Sequence, residues 1–363
     1  MNNPELSSQP LILQVCPNDH PPFRDLCATY QQAGESLGCR VETVFLSAPF
    51  SETTQPGAHY LSVSDSGQRR LTKAFRQRLQ AIDATPLLTI CHRYRALRTV
   101  VASGLTSHRT IAVAHEFGML KRVQRRVNRL LFARKVLFAG VSPPVQAELS
   151  RVVNDALLLP NVIDLPKFDA SVLSRDQALA ELQLPAAPDL LTVAVVGRLI
   201  PWKRPELALS ALRVLDDRQD IRLVFVGDGP LSDALSQQSS GLPVHFAGFK
   251  DNARSLLRAF DVLLIVSEDR EAFGMVALEA MAAGVPVLAQ TAPGPGFVLG
   301  ENAYYCAADP ASIATGLIQV GEARRNGHTR AVSDAARRRV ERDFSVAALA
   351  ARLDDLFFQG RMG

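Results

Sequence analysis

None of the five cysteines, Cys16, Cys27, Cys39, Cys91 and Cys306, belongs to a CxxC pair, and none has a histidine at ligand spacing. That excludes a zinc ribbon or a disulfide framework, and an odd, scattered set of thiols in mostly apolar context suits a reducing compartment. No apolar run approaches the roughly 20 residues that a spanning helix needs, so any membrane contact is expected to be peripheral. The opening MNNPELSSQP has no positive n-region, and the LILQVC that follows is only strand length, so no signal peptide is expected. There is no short-period repeat and no low-complexity segment. A strong basic excess is missing too: the net charge of +4 allows mild attraction to polyanions and falls short of a dedicated nucleic-acid binder.

What is present is ordinary globular material, 363 residues at 47% hydrophobic and 21% charged, too long for one average core. In the first half, LILQVC (11–16), VETVFL (41–46), PLLTICH (86–92), TIAVAH (110–115), KVLFAGVS (135–142) and ALLLP (156–160) alternate with longer amphipathic stretches. Continuous rather than alternating hydrophobicity marks strands buried on both faces, hence parallel sheets wrapped by helices. The rhythm restarts with LTVAVVG (191–197), IRLVFVG (221–227), VHFAG (244–248), DVLLIVS (261–267) and VPVLAQ (285–290). The expected fold is α/β with two Rossmann-like, doubly wound parallel-sheet domains facing across a cleft. Their expected extents are 1–165 and 166–343, with 344–363 as an amphipathic closing helix.

The chemistry gathers in the second half. In VVGRLIPWKRPE, Arg198 follows the turn glycine Gly197, and Lys203 precedes a helix whose start suits Pro205 and Glu206. Two cations beside a helix N-terminus suit a multiply charged anion, because free amides and the dipole favour it and Arg binds oxygens bidentately. The plainer reading, a solvated pair of loop cations, holds for most isolated pairs. EDREAFGMVALEA changes the balance. It places Glu271 before, and Glu279 inside, a helix expected to begin near Gly274, separated by about 80° if both were helical. Carboxylates so placed suit hydroxyls at the two ends of an extended ligand, with amides near Phe273, Gly274 and Met275 facing an anion between them. The plainer reading, a helix-start acid and a surface acid, is weakened by the apolar surroundings of Glu279, which ask for a partner. Gly227 in VFVGDGP, like Gly197, ends a strand and lets backbone approach a ligand, although a glycine after a strand is also the ordinary way to turn.

GRLIPWKRPELALSAL, VFVGDGPL, VHFAGF and EAFGMVALEAMAAGVPVLA, in this order, resemble the C-terminal domain of family 4 glycosyltransferases of GT-B fold. The resemblance covers about 150 residues and is specific in its Glu-x7-Glu and GRL…K signature. It implies that Arg198 and Lys203 bind the donor diphosphate, that Glu271 contacts the hydroxyls of the transferred sugar and that Glu279 contacts the ribose. It further implies that Gly227, Gly229, Gly248 and Phe249 line the nucleotide side, with backbone near Phe249 reading the base. UDP is the expected base carrier, although backbone contacts do not fix the base. The resemblance also implies retention of anomeric configuration. Leaving-group stabilisation by Arg198 and Lys203 would require no metal or other cofactor, and no Asp-x-Asp stands in a plausible donor loop.

The first half resembles the family less. His115 in VAHEFG resembles the family's strand-end histidine beside the donor sugar, against the plainer reading of a satisfied structural histidine; His92 in TICHRYR is a weaker candidate of the same kind. The loop CPNDHPPFRDL has no glycine where family members commonly have a Gly-rich turn. There Asn18 or Asp19 either starts the next helix, or Asp19 or His20 faces the acceptor. The loop TAPGPG (291–296) has glycines suited to backbone contact with donor or acceptor, without the family's frequent acid. MLKRVQRRVNRLLFARK (119–135) carries seven Lys or Arg and no acid. It is either a solvated basic face or a helix meeting anionic lipid or a phosphorylated glycolipid. The resulting expectation is a cytoplasmic glycosyltransferase held peripherally at the inner membrane, with a glycolipid acceptor such as the lipopolysaccharide core and no nucleic-acid partner. The rivals are a nucleotide-sugar epimerase or hydrolase on the same scaffold, and a non-enzymatic binder of anionic lipid.

Overall fold

A computed structural model describes residues 9–21, 23–51, 54–55, 57–63, 67–105, 107–122, 136–215 and 220–357. Most of the basic stretch 119–135, from 123 onward, therefore lies outside the described residues. The chain divides into two compact units, residues 1–163 with 344–363, and residues 164–343.

In the first unit, β1 (Leu11–Cys16), β2 (Arg40–Phe45), β3 (Ala58–Tyr60), β4 (Leu88–His92), β5 (Arg109–Ala114), β6 (Val136–Gly140) and β7 (Leu157–Leu158) form one sheet. Its order is β3-β2-β1-β4-β5-β6-β7 and every pairing is parallel. Strands β1 and β4 are buried along their whole length, which is why they read as unbroken apolar runs. The helix Phe23–Ser36 packs beside them through Cys27, Tyr30, Ala33 and Gly34. Gly34 is required for contact: a Cβ there would lie 2.6 Å from the Val41 side chain. The C-terminal helix Val346–Phe357 packs on Phe23–Ser36. Its last turn is held where Arg109 Nη1 donates to the Leu356 carbonyl at 2.7 Å, satisfying an otherwise orphan helix-end acceptor.

In the second unit, β8 (Leu191–Val196), β9 (Ile221–Val226), β10 (Val244–Phe246), β11 (Val262–Ile265), β12 (Val287–Gln290) and β13 (Tyr304–Cys306) are ordered β10-β9-β8-β11-β12-β13, again all parallel. The core between sheet and helices centres on Val193, Leu209, Leu223, Phe225, Leu264 and Leu317. Helices start where short polar side chains cap them: Asp164 accepts from Lys167 N–H, Ser174 and Gln177 form a reciprocal capping box, and Asp309 accepts from Ser312 N–H.

Strand order reverses between β1 and β4 in one sheet and between β8 and β11 in the other. Crossovers diverge there and leave a crevice at the carboxyl ends of the strands, where open α/β sheets bind ligands. Two strands, β3 and β13, were not anticipated from sequence. Each is a three-residue edge strand with little full burial, too short to carry a hydrophobic period.

Candidate active site

At the second unit's switch point, β8 stops at Gly197 and β9 at Gly227, with φ of 131° and 138°, a region that residues with a Cβ rarely enter. The two turns are zipped to each other and to the end of β10. Gly197 N–H donates to the Val226 carbonyl at 2.9 Å, Gly227 N–H to Gly248 at 2.8 Å, and Leu199 N–H to Asp228 at 3.0 Å. A Cβ on Gly227 would sit 2.1 Å from the Gly197 oxygen, and one on Gly229 would sit 2.4 Å from the Leu199 oxygen. These two glycines, expected to open backbone to a ligand, instead let neighbouring loops touch. Gly197 does clear space for a functional group: its missing Cβ would lie 3.2 Å from the Lys203 amine. Gly248 meets no neighbour at its Cβ position, and its φ of 66° alone explains it. Phe249 beside it is 71% exposed.

Gly197, Arg198, Lys203, Ser267 and Glu271 line one hollow at the carboxyl ends of β8 and β11. Arg198 is exposed. Lys203 ends the short 3-10 turn Pro201–Lys203, and its Nζ lies 3.5 Å from Glu271 Oε1. The loops carrying the two are joined where Glu268 N–H donates to the Trp202 carbonyl at 2.8 Å. The other carboxylate oxygen, Oε2 of Glu271, is buried and has no hydrogen-bond partner among the described residues. A buried acceptor without a donor costs on the order of 1–3 kcal/mol, so Glu271 is poised to accept from a ligand hydroxyl.

The acids are arranged differently from the helical projection. The helix runs Met275–Ala283 with Gly274 as its N-cap at φ 96°, so Glu271 stands in the preceding loop and the expected 80° separation does not apply. Met275 begins the helix half-buried, and no side chain caps that end; uncapped first-turn amides of this kind suit an anion. Phe273 is 3% exposed and packs edge-on to Phe297 at 6.4 Å. Its ring is core, which leaves to it the backbone role expected of the amides at 273–275. Glu279 is only half-buried on the helix. The TAPGPG stretch leads into the helix Pro293–Leu299, which begins at its first proline. A Cβ on Gly294 would lie 2.0 Å from the Glu271 carbonyl oxygen, so that glycine seats the backbone of Glu271.

Two residues given no role from sequence complete the frame. Arg204, at φ 48°, donates Nε to the Val266 carbonyl at 3.0 Å and Nη2 to Gln290 Oε1 at 2.6 Å, while Gln290 Nε2 donates to the Ser267 carbonyl. They tie the ends of β11 and β12 beneath Glu271. The signal for Arg204 was only its place after Lys203.

At the first unit's switch point the ends of β1, β4 and β5 carry polar groups that pair among themselves. His92 Nε2 is 3.3 Å from Gln14 Oε1, His92 Nδ1 is 3.0 Å from His115 Nε2, and His115 Nδ1 is 3.1 Å from the Asn161 amide. Burial pushes the His115 pKa down to about 4, against an opposing hydrogen bond from Asn161, and Arg93 adds to the lowering. Burial first, and His115 second, hold His92 well below the ordinary histidine range. Gln14 in an otherwise apolar strand was a visible signal; Asn161 was not. Asp19 is a correction: it is fully buried, accepts Phe50 N–H at 2.9 Å on Oδ1 and pairs with Arg24 at 3.1 Å on Oδ2, so it faces neither acceptor nor helix start. Asn18 Oδ1 accepts from His20 N–H, and the helix begins later, at Phe23. His20 is exposed and lies 4.2 Å from the Phe50 ring.

Among the described residues no group of three or more His, Cys, Asp or Glu is placed to hold a metal, and no helix is long and apolar enough to cross a membrane.

Residues 191–322 match the family model "Glycosyl transferases group 1". The chain is 36% identical over 107 residues, 28% of each protein, to a GDP-mannose-dependent alpha-(1-6)-phosphatidylinositol dimannoside mannosyltransferase of Mycobacterium tuberculosis. It is 34% identical over 126 residues, 34% of this chain and 35% of the other, to the lipopolysaccharide core biosynthesis glycosyltransferase LpsD of Rhizobium meliloti. The chain spans less than half the length of these curated relatives. The structure superposes on Anabaena HepE, solved with UDP-glucose, with a TM-score of 0.75 at 19% identity, covering 95% of this chain and 98% of that one. Residues 191–322 are thus similar to the group 1 glycosyltransferases, and the chain that carries them has the GT-B fold.

Proposed function

We propose that this chain is a glycosyltransferase that takes a sugar from a nucleotide-diphosphate sugar bound at the second unit's switch point. The observation that carries the reading is the Lys203–Glu271 pair with its unpartnered buried Oε2, beside the exposed Arg198 and an uncapped helix start. The group that departs is a diphosphate, whose growing negative charge Arg198, Lys203 and the first-turn amides of Met275–Ala283 stabilise. Glu271 accepts from a hydroxyl of the transferred sugar, Glu279 from the ribose, and the backbone at Gly248 and Phe249 lies along the base. No metal is assigned a part. Transfer with retention remains what the family resemblance implies.

The nucleotide, the acceptor and the place of action belong to the same proposal. UDP as nucleotide is supported by the UDP-glucose complex of the similarly folded HepE, although the mycobacterial relative is named for GDP-mannose. A glycolipid acceptor is supported by the names of the two relatives above, one acting on a phosphatidylinositol dimannoside and one in lipopolysaccharide core biosynthesis. The seven basic residues of 119–135 suit peripheral contact with the anionic inner membrane from the cytoplasmic side.

Thermal unfolding with UDP-, GDP-, ADP- and dTDP-sugars, without added metal, tests the donor. A ligand at 100 times its Kd adds about 2.7 kcal/mol to the folded state, so one nucleotide series is expected to raise Tm in the wild type and not in Arg198→Ala. No rise with any of the four would remove the donor reading. Transfer from the stabilising donor to a glycolipid extract, followed by product mass, tests the acceptor class.

A further inference from the structure

We infer that His92 is a positioning residue that fixes the tautomer and ring plane of His115, and that it does so through Gln14. The inference rests on the reading, implied by the family resemblance, that His115 takes part in transfer.

The hydrogen bonds permit one direction of donation. Gln14 Nε2 is 3.1 Å from the Cys27 carbonyl oxygen and 3.1 Å from Thr43 Oγ1. A carbonyl only accepts, so the amide nitrogen of Gln14 must face it, and Oε1 faces His92. His92 therefore carries its proton on Nε2 and donates to Oε1 at 3.3 Å. A neutral imidazole has one donor and one acceptor, so Nδ1 of His92 accepts. Among the described residues the donor offered to it is His115 Nε2–H, at 3.0 Å. His115 then holds its single proton on Nε2 and presents a bare Nδ1 to the Asn161 amide, whose Oδ1 stands 3.1 Å away. The two ends of an amide are interchangeable in position, so the relay requires the NH2 end of Asn161 turned to the ring; with Oδ1 facing it, Nδ1 would carry the proton and the relay would be broken.

The chain is buried at its root, since Gln14 and His92 are fully buried, and a buried pair of imidazoles resists charging. Ring packing holds the planes: Tyr30 meets His92 edge-on at 5.0 Å, and Phe23 meets His115 edge-on at 5.7 Å. With both nitrogens engaged and the ring neutral, His115 contributes shape and a fixed dipole rather than a proton. This separates it from a general acid or base, which needs a pKa near the working pH and a free nitrogen.

The test uses the full chain labelled with 15N. Long-range proton–nitrogen correlation at pH 7, with the seven histidines assigned by single replacement, is expected to show His115 protonated on Nε2 alone. A proton on Nδ1, or on both nitrogens, overturns the inference in the wild type itself, so it stays testable if a variant fails to fold. His92→Phe removes the acceptor, and His92→Gln restores one that can still donate to Gln14. The expected result is a changed His115 tautomer and a fall in kcat of roughly 10- to 100-fold, the size seen when an orienting partner is removed, in His92→Phe, with recovery in His92→Gln and little change in donor KM. A folded His92→Phe with tautomer and kcat both unchanged overturns it. A changed tautomer with kcat unchanged supports the relay and removes His115 from the transfer site instead.

Discussion

The two sheets are built alike, yet their switch points are chemically opposite. At β8 and β11 the groups are charged and incompletely paired: an exposed arginine, a lysine leaning on a glutamate, and one carboxylate oxygen with no donor. At β1, β4 and β5 the groups are neutral and paired end to end from Gln14 to Asn161. The first arrangement leaves electrostatic interaction for a ligand to complete; the second has completed it beforehand and offers rigidity. A charged ligand is therefore expected to change the second unit's stability far more than the first's.

Removing the charged groups should break the contrast with the largest effect. Arg198→Ala and Glu271→Gln are each expected to lower kcat/KM for transfer by about 10²- to 10³-fold or more, the loss that follows removal of one preorganised charge-stabilising group, with far-UV circular dichroism unchanged. Transfer at wild-type rate in both variants would sink the site assignment. The single tryptophan of the chain, Trp202, has the Lys203 amine 5.4 Å from its ring centroid. Its fluorescence should change on titration with the productive nucleotide in wild type and remain flat in Arg198→Ala.

The next effect is structural and confined to the second unit. In Gly227→Ala the new methyl would meet the Gly197 oxygen at 2.1 Å in a backbone at φ 138°. Loop displacement or a loss of about 2 kcal/mol or more is expected, readable as a lowered denaturation midpoint followed by Trp202. An unchanged midpoint would mean that the turns are not zipped as described.

Acid sharpens the contrast from the other side. An unfolded histidine takes its proton near 6.5 and folded His115 only near about 4, so the unfolded state binds protons more readily in that window. Stability contributed by a neutral His115 is fully present above about 6.5 and is lost as the pH falls toward 4. At about 1.4 kcal/mol per pH unit the loss is at most about 3 kcal/mol. Denaturant titrations of wild type and His115→Phe should converge as the pH is lowered; parallel curves would contradict a depressed histidine. The smallest effect belongs to Phe249→Ala. With the ring 71% exposed, stability should change by less than about 0.5 kcal/mol, and any change in nucleotide preference would be read in binding alone.

How much of this could be read along the chain follows the range of the interactions. Unbroken apolar runs are local, and among the described residues 11 of the 13 strands answer to them; the exceptions, Ala58–Tyr60 and Tyr304–Cys306, are held by neighbours rather than by their own pattern. Glu-x7-Glu and the GRL…K run were legible because backbone geometry fixes short spacings. The helix start at Gly274, with Glu271 before it and Glu279 inside it, was legible too; the contact of Glu271 with Lys203 was not, because it joins segments 68 residues apart. Asp19 looked like a ligand-facing acid until Phe50 N–H, 31 residues away, proved to be its partner.

By itself the sequence determined two parallel-sheet units and singled out the residues proposed to meet a diphosphate sugar, because period, turn residues and charge are properties of neighbours in the chain. Tertiary structure alone decided that Gly227 and Gly229 let neighbouring loops touch, that Glu271 Oε2 has no partner among the described residues beside Lys203, and that His92 and His115 share a hydrogen bond. Each of these rests on an atom from a distant segment arriving within hydrogen-bond or van der Waals distance, which no local spacing encodes.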